Sequence, residues 1–190
     1  MKIGLFFGSF NPIHTGHLII ANHFLNETKL DKIWFVVSPV NPFKINSDLL
    51  DERARLFLVN AAIQNDERIA ASDVEFQLSK PSFTINTLLF LKDAHPDHEF
   101  SIIMGSDNFR DLDKWKDYED IISNYKILIY LRTGFEVKNK FNADAEVLNA
   151  PILDISSTEI RRLIEKRKSI RYLVPEMVRK EIEEKGYYKK

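Results

Sequence analysis

The sequence predicts an α/β fold, a mostly parallel sheet with helices on both faces. Two observations carry that expectation. Short β-branched or aromatic runs alternate along the chain with segments whose apolar residues recur at helical spacing. A length of 190 residues with no internal repeat, linker or low-complexity stretch suits one domain around a single buried core.

The elements follow in order. Residues 3 to 7 (IGLFF) and 32 to 37 (KIWFVV) are short apolar runs of the kind that form buried strands, and Trp34 in the second reads as core. Between them Leu18, Ala21 and Leu25 recur at helical spacing. After the loop SPVNPFKINSDLL, residues Leu56, Val59 and Ile63 mark one face of a second helix. A weaker strand is expected around IAASDVEFQL, then a helix around INTLLFLKDA that Pro96 stops. FSIIMG (100 to 105) and KILIYL (126 to 131) are the clearest later strands. Residues 157 to 167 and 175 to 185 read as closing helices, the second ended by Gly186.

Composition removes several function classes. The formal charge of −1 comes from 27 basic and 28 acidic side chains, well mixed, which argues against binding nucleic acid or anionic membrane through bulk charge. No apolar stretch approaches the ~18 residues that span a bilayer. The chain enters its first apolar run directly after Met1-Lys2, so no signal peptide and a cytoplasmic location are expected. Cysteine is absent, which excludes disulfides, thiolate nucleophiles and cysteine–zinc sites. The oligomeric state stays open, a homo-oligomer included.

One stretch is out of proportion to this composition. GSFNPIHTGH (8 to 17) holds two of the 6 glycines and two of the 5 histidines. It leaves the carboxyl end of the first strand and opens the first helix, where α/β sheets bind ligands. Gly8 lets backbone approach a ligand closely. Gly16 and His17 stand at a helix N-terminus, where free N–H groups and the dipole favour an anion. His14 and His17 add donors and, when protonated, charge. Neither a P-loop nor a dinucleotide fingerprint is present. Zinc fits poorly, because the spacing is not H-E-x-x-H and no third ligand stands nearby. An ordinary turn with incidental histidines remains open on this stretch alone.

DISSTEIRRLIEKR (154 to 167) tips the balance. Ser156-Ser157-Thr158-Glu159 is an S-x-x-E capping box, by itself only a helix start. Arg161 in the first turns adds a guanidinium beside the free N–H groups, and the whole forms a second phosphate cradle. Elsewhere, His95 and His98 in HPDH read as surface-turn decoration. His23 reads as a solvent-facing helix residue, and Arg132 as either a salt-bridge partner or a nucleotide contact.

Together the two stretches resemble the H-x-G-H nucleotidyltransferase superfamily, whose other mark is a late I-S-S-T-x-x-R helix start. The closer similarity is to the bacterial nicotinate-nucleotide adenylyltransferases, through IGLFFGSFNPIHTGHL, IWFVVSPVNPFK, KPSFTINTL, FSIIMGSDNFRDLDKWKDYEDI, LRTGF, ISSTEIRRLI and YLVPEMVRKEIEEKGYY. This resemblance implies a Rossmann-like, doubly wound domain over residues 1–190 that moves AMP from ATP to nicotinate mononucleotide, with Mg²⁺ accompanying ATP. It implies that Gly8, Ser9, Phe10, His14, His17, Ser156, Ser157 and Arg161 line the ATP phosphates and that Gly105 and Asp107 lie against adenosine. Lys44 would reach a phosphate from the NPFK loop, and Thr84, Trp115 and Tyr118 would surround the pyridine mononucleotide. His17 and His14 would act at the transferred phosphate, Lys44 and Arg161 further out. Three positions depart from the family pattern: Phe7 for a glycine, Asn11 for an aspartate and Phe43 for a histidine. Alternatives are nicotinamide mononucleotide as acceptor, a pantetheine-phosphate adenylyltransferase, and a non-catalytic nucleotide-binding module.

Overall fold

Burial along the strands alternates between two apolar cores, one on each face of the sheet. The computed structural model describes residues 1–39, 49–132, 134–151 and 154–189. Its strands are β1 (Lys2–Gly8), β2 (Lys32–Val37), β3 (Ile69–Ser72), β4 (Glu99–Gly105), β5 (Lys126–Tyr130) and β6 (Ala145–Leu148). They form one parallel sheet in the order β3-β2-β1-β4-β5-β6, the doubly wound Rossmann order. Phe6, Phe35, Ile103 and Leu128 enter one core, while Leu5, Val36, Ile102, Ile127 and Ile129 enter the other. That is the period-two pattern of strands covered on both sides.

The first core is closed by α1 (Thr15–Glu27), α2 (Glu52–Ile63), α6 (Ser157–Glu165) and α7 (Glu176–Lys185). The second is closed by α3 (Thr84–Ala94), α4 (Ser106–Arg110) and α5 (Tyr118–Asn124). Phe24 of α1 and Leu88 of α3 are completely buried, each worth roughly 1.5–3 kcal/mol of transfer free energy. Gly186 takes a left-handed φ of 67° just past α7, the helix stop expected there. Among the described residues no helix is long and apolar enough to cross a membrane.

Several local expectations are corrected. The strand expected over IAASDVEFQL stops at Ser72. Asp73 caps a 3₁₀ turn over Val74–Gln77, which buries Val74 and Glu75 instead of extending the sheet. The edge strand β6 and the short helices α4 and α5 carry too few apolar residues to stand out in sequence. Trp34 is only half-buried, because its ring packs edge-on against His95 at 5.4 Å and lies 6.4 Å from His98. The two histidines stack on each other and cover that tryptophan, so they pack rather than merely decorate a turn.

The strand order reverses between β1 and β4, so their carboxyl ends at Gly8 and Gly105 flank a crevice. Ligands bind at such a switch point.

Candidate active site

The loop after β1 is shaped by its own side chains. Phe10 is buried, with a left-handed φ of 44°. A Cβ on Gly8 would come within 2.8 Å of the Phe10 ring, so only glycine lets the ring fold back beneath the strand end. His17 is wedged edge-on against Phe10 (5.1 Å) and Phe6 (5.9 Å) and stacks on His14 at 3.7 Å. Its Nδ1 accepts from the His14 backbone N–H at 3.3 Å, which leaves Nε2 as the nitrogen that carries hydrogen. His14 itself caps α1 and is buried, and its Nδ1 has no partner. Burial, with Arg132 beside it, lowers its pKa from 6.5 to about 4. At neutral pH His14 is therefore an uncharged imidazole, not the cation that an exposed histidine could become.

Two helix N-termini converge on a cleft of about 500 Å³. Gly16 and His17 of α1 line one side, and Ser156, Ser157 and Thr158 at the start of α6 line the other. Ser156 accepts from the Glu159 N–H at 3.2 Å, and the Ser157 hydroxyl donates to the Pro12 carbonyl at 2.9 Å, tying α6 to the first loop. Phe7, Gly8, Ser9, Phe10 and His14 complete that wall, with Asp107 and Arg132 across from it. Arg132 both lines the cleft and pairs with Asp107 at 2.8 Å. Gly105 does not line the cleft; a Cβ there would collide with the Asp107 carboxyl, so the glycine makes room for that carboxylate. Arg161 also stays outside the lining and donates to the Asn11 carbonyl at 2.8 Å. Asn11 Oδ1 accepts from Leu50 N–H at 3.2 Å and from the Tyr188 hydroxyl at 2.9 Å, tying the loop to the C-terminal segment through an oxygen that an aspartate would also supply.

A second pocket, about 340 Å³, adjoins the first. Phe7, Gly8, Ser9 and Asn108 line both. Thr84, the first residue of α3, and Trp115 face into it, together with Ser38, Glu75 and Ser82. Tyr118 does not: its ring packs 6.0 Å from Phe141 and its hydroxyl meets Glu119 at 3.4 Å. Lys44 and Phe43 lie outside the described residues.

Sequence reasoning passed over Arg55. It is completely buried, and its guanidinium donates to the carbonyls of Leu50 (2.8 Å), Ser9 (2.6 Å), Ser38 (2.8 Å) and Pro39 (3.0 Å). One side chain thus fixes the loops after β1 and β2 where both pockets begin. Its signal in sequence is faint, the second of two arginines just before the apolar face of α2. Glu75 was hidden by the strand expectation, whereas Ser82 belongs to the KPSFT stretch.

The geometry has known counterparts. Residues 5–163 match the cytidylyltransferase-like family model. A Flavobacterium psychrophilum protein named "Probable nicotinate-nucleotide adenylyltransferase" is 48% identical over 100% of both chains. A Bacteroides fragilis protein of the same name is 47% identical over 95% of this chain and 90% of its own. In three dimensions, the Plasmodium falciparum nicotinic acid mononucleotide adenylyltransferase complexed with NaAD superposes with a TM-score of 0.83. It covers 98% of this chain and 97% of its own at 23% identity, a likeness of fold. With near-half identity over their full length to proteins of that name, this chain belongs to the nicotinate-nucleotide adenylyltransferase family.

Proposed function

We propose that this protein transfers AMP from ATP to nicotinate mononucleotide, releasing pyrophosphate and forming deamido-NAD, a step of NAD biosynthesis. The observation that carries this is the pair of pockets meeting at Phe7, Gly8, Ser9 and Asn108. One is built for phosphates, the other for a ring beside an indole. A phosphate on the acceptor would then sit next to the α-phosphorus of ATP.

The first pocket takes ATP. The N-termini of α1 and α6 receive its phosphates, and His17 Nε2–H donates to the oxygens that gain charge as the bond changes. Asp107, adjoining the cleft, is suited to accept from ribose hydroxyls. An oxygen of the acceptor's phosphate attacks the α-phosphorus, the bond to the β-phosphate bridge breaks, and pyrophosphate leaves. That attacking phosphate is already largely ionised at neutral pH, so no side-chain nucleophile or base is required. Arg161 would reach the outer phosphates only by leaving the Asn11 carbonyl, and its assignment, like that of Lys44, rests on resemblance alone. Mg²⁺ arrives as MgATP. An ion of that kind is held mainly by substrate phosphates and water.

Trp115 gives the pyridine ring a flat surface, and the N–H groups at the start of α3 face its carboxylate. The test is kcat/KM with MgATP and each of three acceptors: nicotinate mononucleotide, nicotinamide mononucleotide and pantetheine phosphate. The acid mononucleotide is expected to lead the amide by at least about tenfold, equivalent to ~1.4 kcal/mol. Equal use of acid and amide, or preference for pantetheine phosphate, overturns the acceptor assignment. No turnover with any of them leaves a nucleotide-binding module.

A further inference from the structure

The loop between β1 and α1 is held by side chains from distant parts of the chain. Arg55 takes the Ser9 carbonyl, Arg161 the Asn11 carbonyl and Ser157 the Pro12 carbonyl. The Asn11 side chain is held as well, and the residue is 3% exposed. Its amide faces the Leu50 N–H, which can only donate, so the atom turned that way is the oxygen. That settles the direction of the second bond. The Tyr188 hydroxyl, 2.9 Å from the same oxygen, is the donor. The Leu50 carbonyl accepts from Arg55, so one network joins the C-terminal segment, the loop and the start of α2. Tyr188 lies just beyond Gly186 and has a left-handed φ of 63°. A tyrosine keeps such a backbone only where its surroundings hold it. Here the ring packs on the first core and the hydroxyl ends on Asn11.

We propose that Tyr188 is a positioning residue for the transfer: through Asn11 its hydroxyl sets where the loop and the start of α1 hold His17 against the reacting phosphorus. This rests on the reaction assigned above. Transfer between two phosphates leaves the protein little to do but align the reactants and steady their charge. The loop runs straight into α1, whose first turn carries Gly16 and His17 on the cleft. Binding of ATP is spread over two helix N-termini, whereas turnover depends on the aim of one donor. A small swing of the loop therefore lowers kcat more than it raises KM. Tyr188 lines neither pocket, so it acts only through the residues it holds. Arg55, Arg161 and Ser157 still grip the loop when the hydroxyl is lost, so the loop shifts rather than unfolds. Burial pushes the Tyr188 pKa well up, with Arg161 and Arg55 near enough to oppose, and the hydroxyl stays a donor at neutral pH.

The experiment measures kcat and the KM values for MgATP and nicotinate mononucleotide in the full-length parent, Tyr188→Phe, Asn11→Ala and the double variant. Assays run where all are folded, with melting temperatures alongside. Tyr188→Phe removes one oxygen and should lower kcat by about tenfold, with both KM values within about twofold of the parent. On top of Asn11→Ala the same change should cost less than about twofold, because the hydroxyl acts through that side chain. Ile182→Val loosens α7 in the core and should lower the melting temperature while kcat stays parental. A Tyr188→Phe change confined to KM or to melting temperature overturns the proposal. So does a full tenfold loss in the Asn11→Ala background, or a matching loss of kcat in Ile182→Val. Should Tyr188→Phe fail to fold, Asn11→Asp, which keeps an accepting oxygen, should exceed Asn11→Ala in kcat by about tenfold, and equal values overturn the proposal. A parent that transfers AMP to no mononucleotide refutes the assigned reaction itself, and the proposal with it.

Discussion

Arg55→Met should damage stability and both binding sites at once. The substitution keeps an apolar stem but removes a guanidinium that serves four carbonyls between 2.6 and 3.0 Å. Hydrogen bonds from a charged donor are worth ~1.5–3 kcal/mol each, so the gross loss is large. Two effects offset it. The guanidinium is held below its ordinary pKa by burial, with Asp51, Glu52 and Tyr188 opposing, and that desolvation cost disappears with it. The carbonyls of Ser9 and Ser38 belong to residues at the pocket edge and can recover water. A net loss of about 3–5 kcal/mol remains, the scale for breaking a buried charged network from one side. At roughly 2–4 °C per kcal/mol for a chain of this size, the melting temperature should fall by roughly 6–20 °C. Because Ser9 lines both pockets, kcat/KM for ATP and for the acceptor should each fall by at least about tenfold at a temperature where the variant is folded. Circular dichroism melts and steady-state kinetics read the two arms. A melting point within about 2 °C of the parent and unchanged kinetics would refute the view that Arg55 holds these loops.

Three further outcomes follow from the same geometry. His17→Ala should lower kcat by roughly 10² or more while ATP affinity falls far less; a folded variant that keeps most of its turnover removes His17 from the transferred phosphate. Trp115→Ala should raise the acceptor KM and leave the KM for ATP nearly unchanged, and the reverse pattern would assign the indole to the other pocket. Between pH 6.5 and about 4 the unfolded chain takes up a proton that buried His14 refuses. Stability from this group is therefore complete above pH 6.5 and lost as pH falls toward 4, roughly 3 kcal/mol in all. His14→Gln should flatten that part of the melting temperature's pH dependence, and equal slopes in parent and variant would contradict it.

The fold was legible where burial is two-sided and continuous. IGLFF, KIWFVV, FSIIMG and KILIYL all form strands because each is covered on both faces. The edge strand over Ala145–Leu148 escaped because two of its four residues are exposed, leaving no apolar run to see. In the site, residues at helix starts were readable, since Gly16, His17, Ser156 and Ser157 owe their place to capping and dipole effects written locally. Residues placed by tertiary contacts were not. The resemblance placed Tyr118 at the pyridine mononucleotide, but the α5 turn carries its ring toward Phe141. Arg55 and Glu75 look like ordinary charges, and only the packing of separate loops and helices shows what they hold.

The most direct test of transfer between two adjoining pockets uses ATP made chiral at the α-phosphorus by sulfur substitution. A single in-line displacement by the acceptor's own phosphate predicts inversion at phosphorus in the dinucleotide product. Retention would mean that AMP passes through a covalent bond to the protein, and would contradict the account.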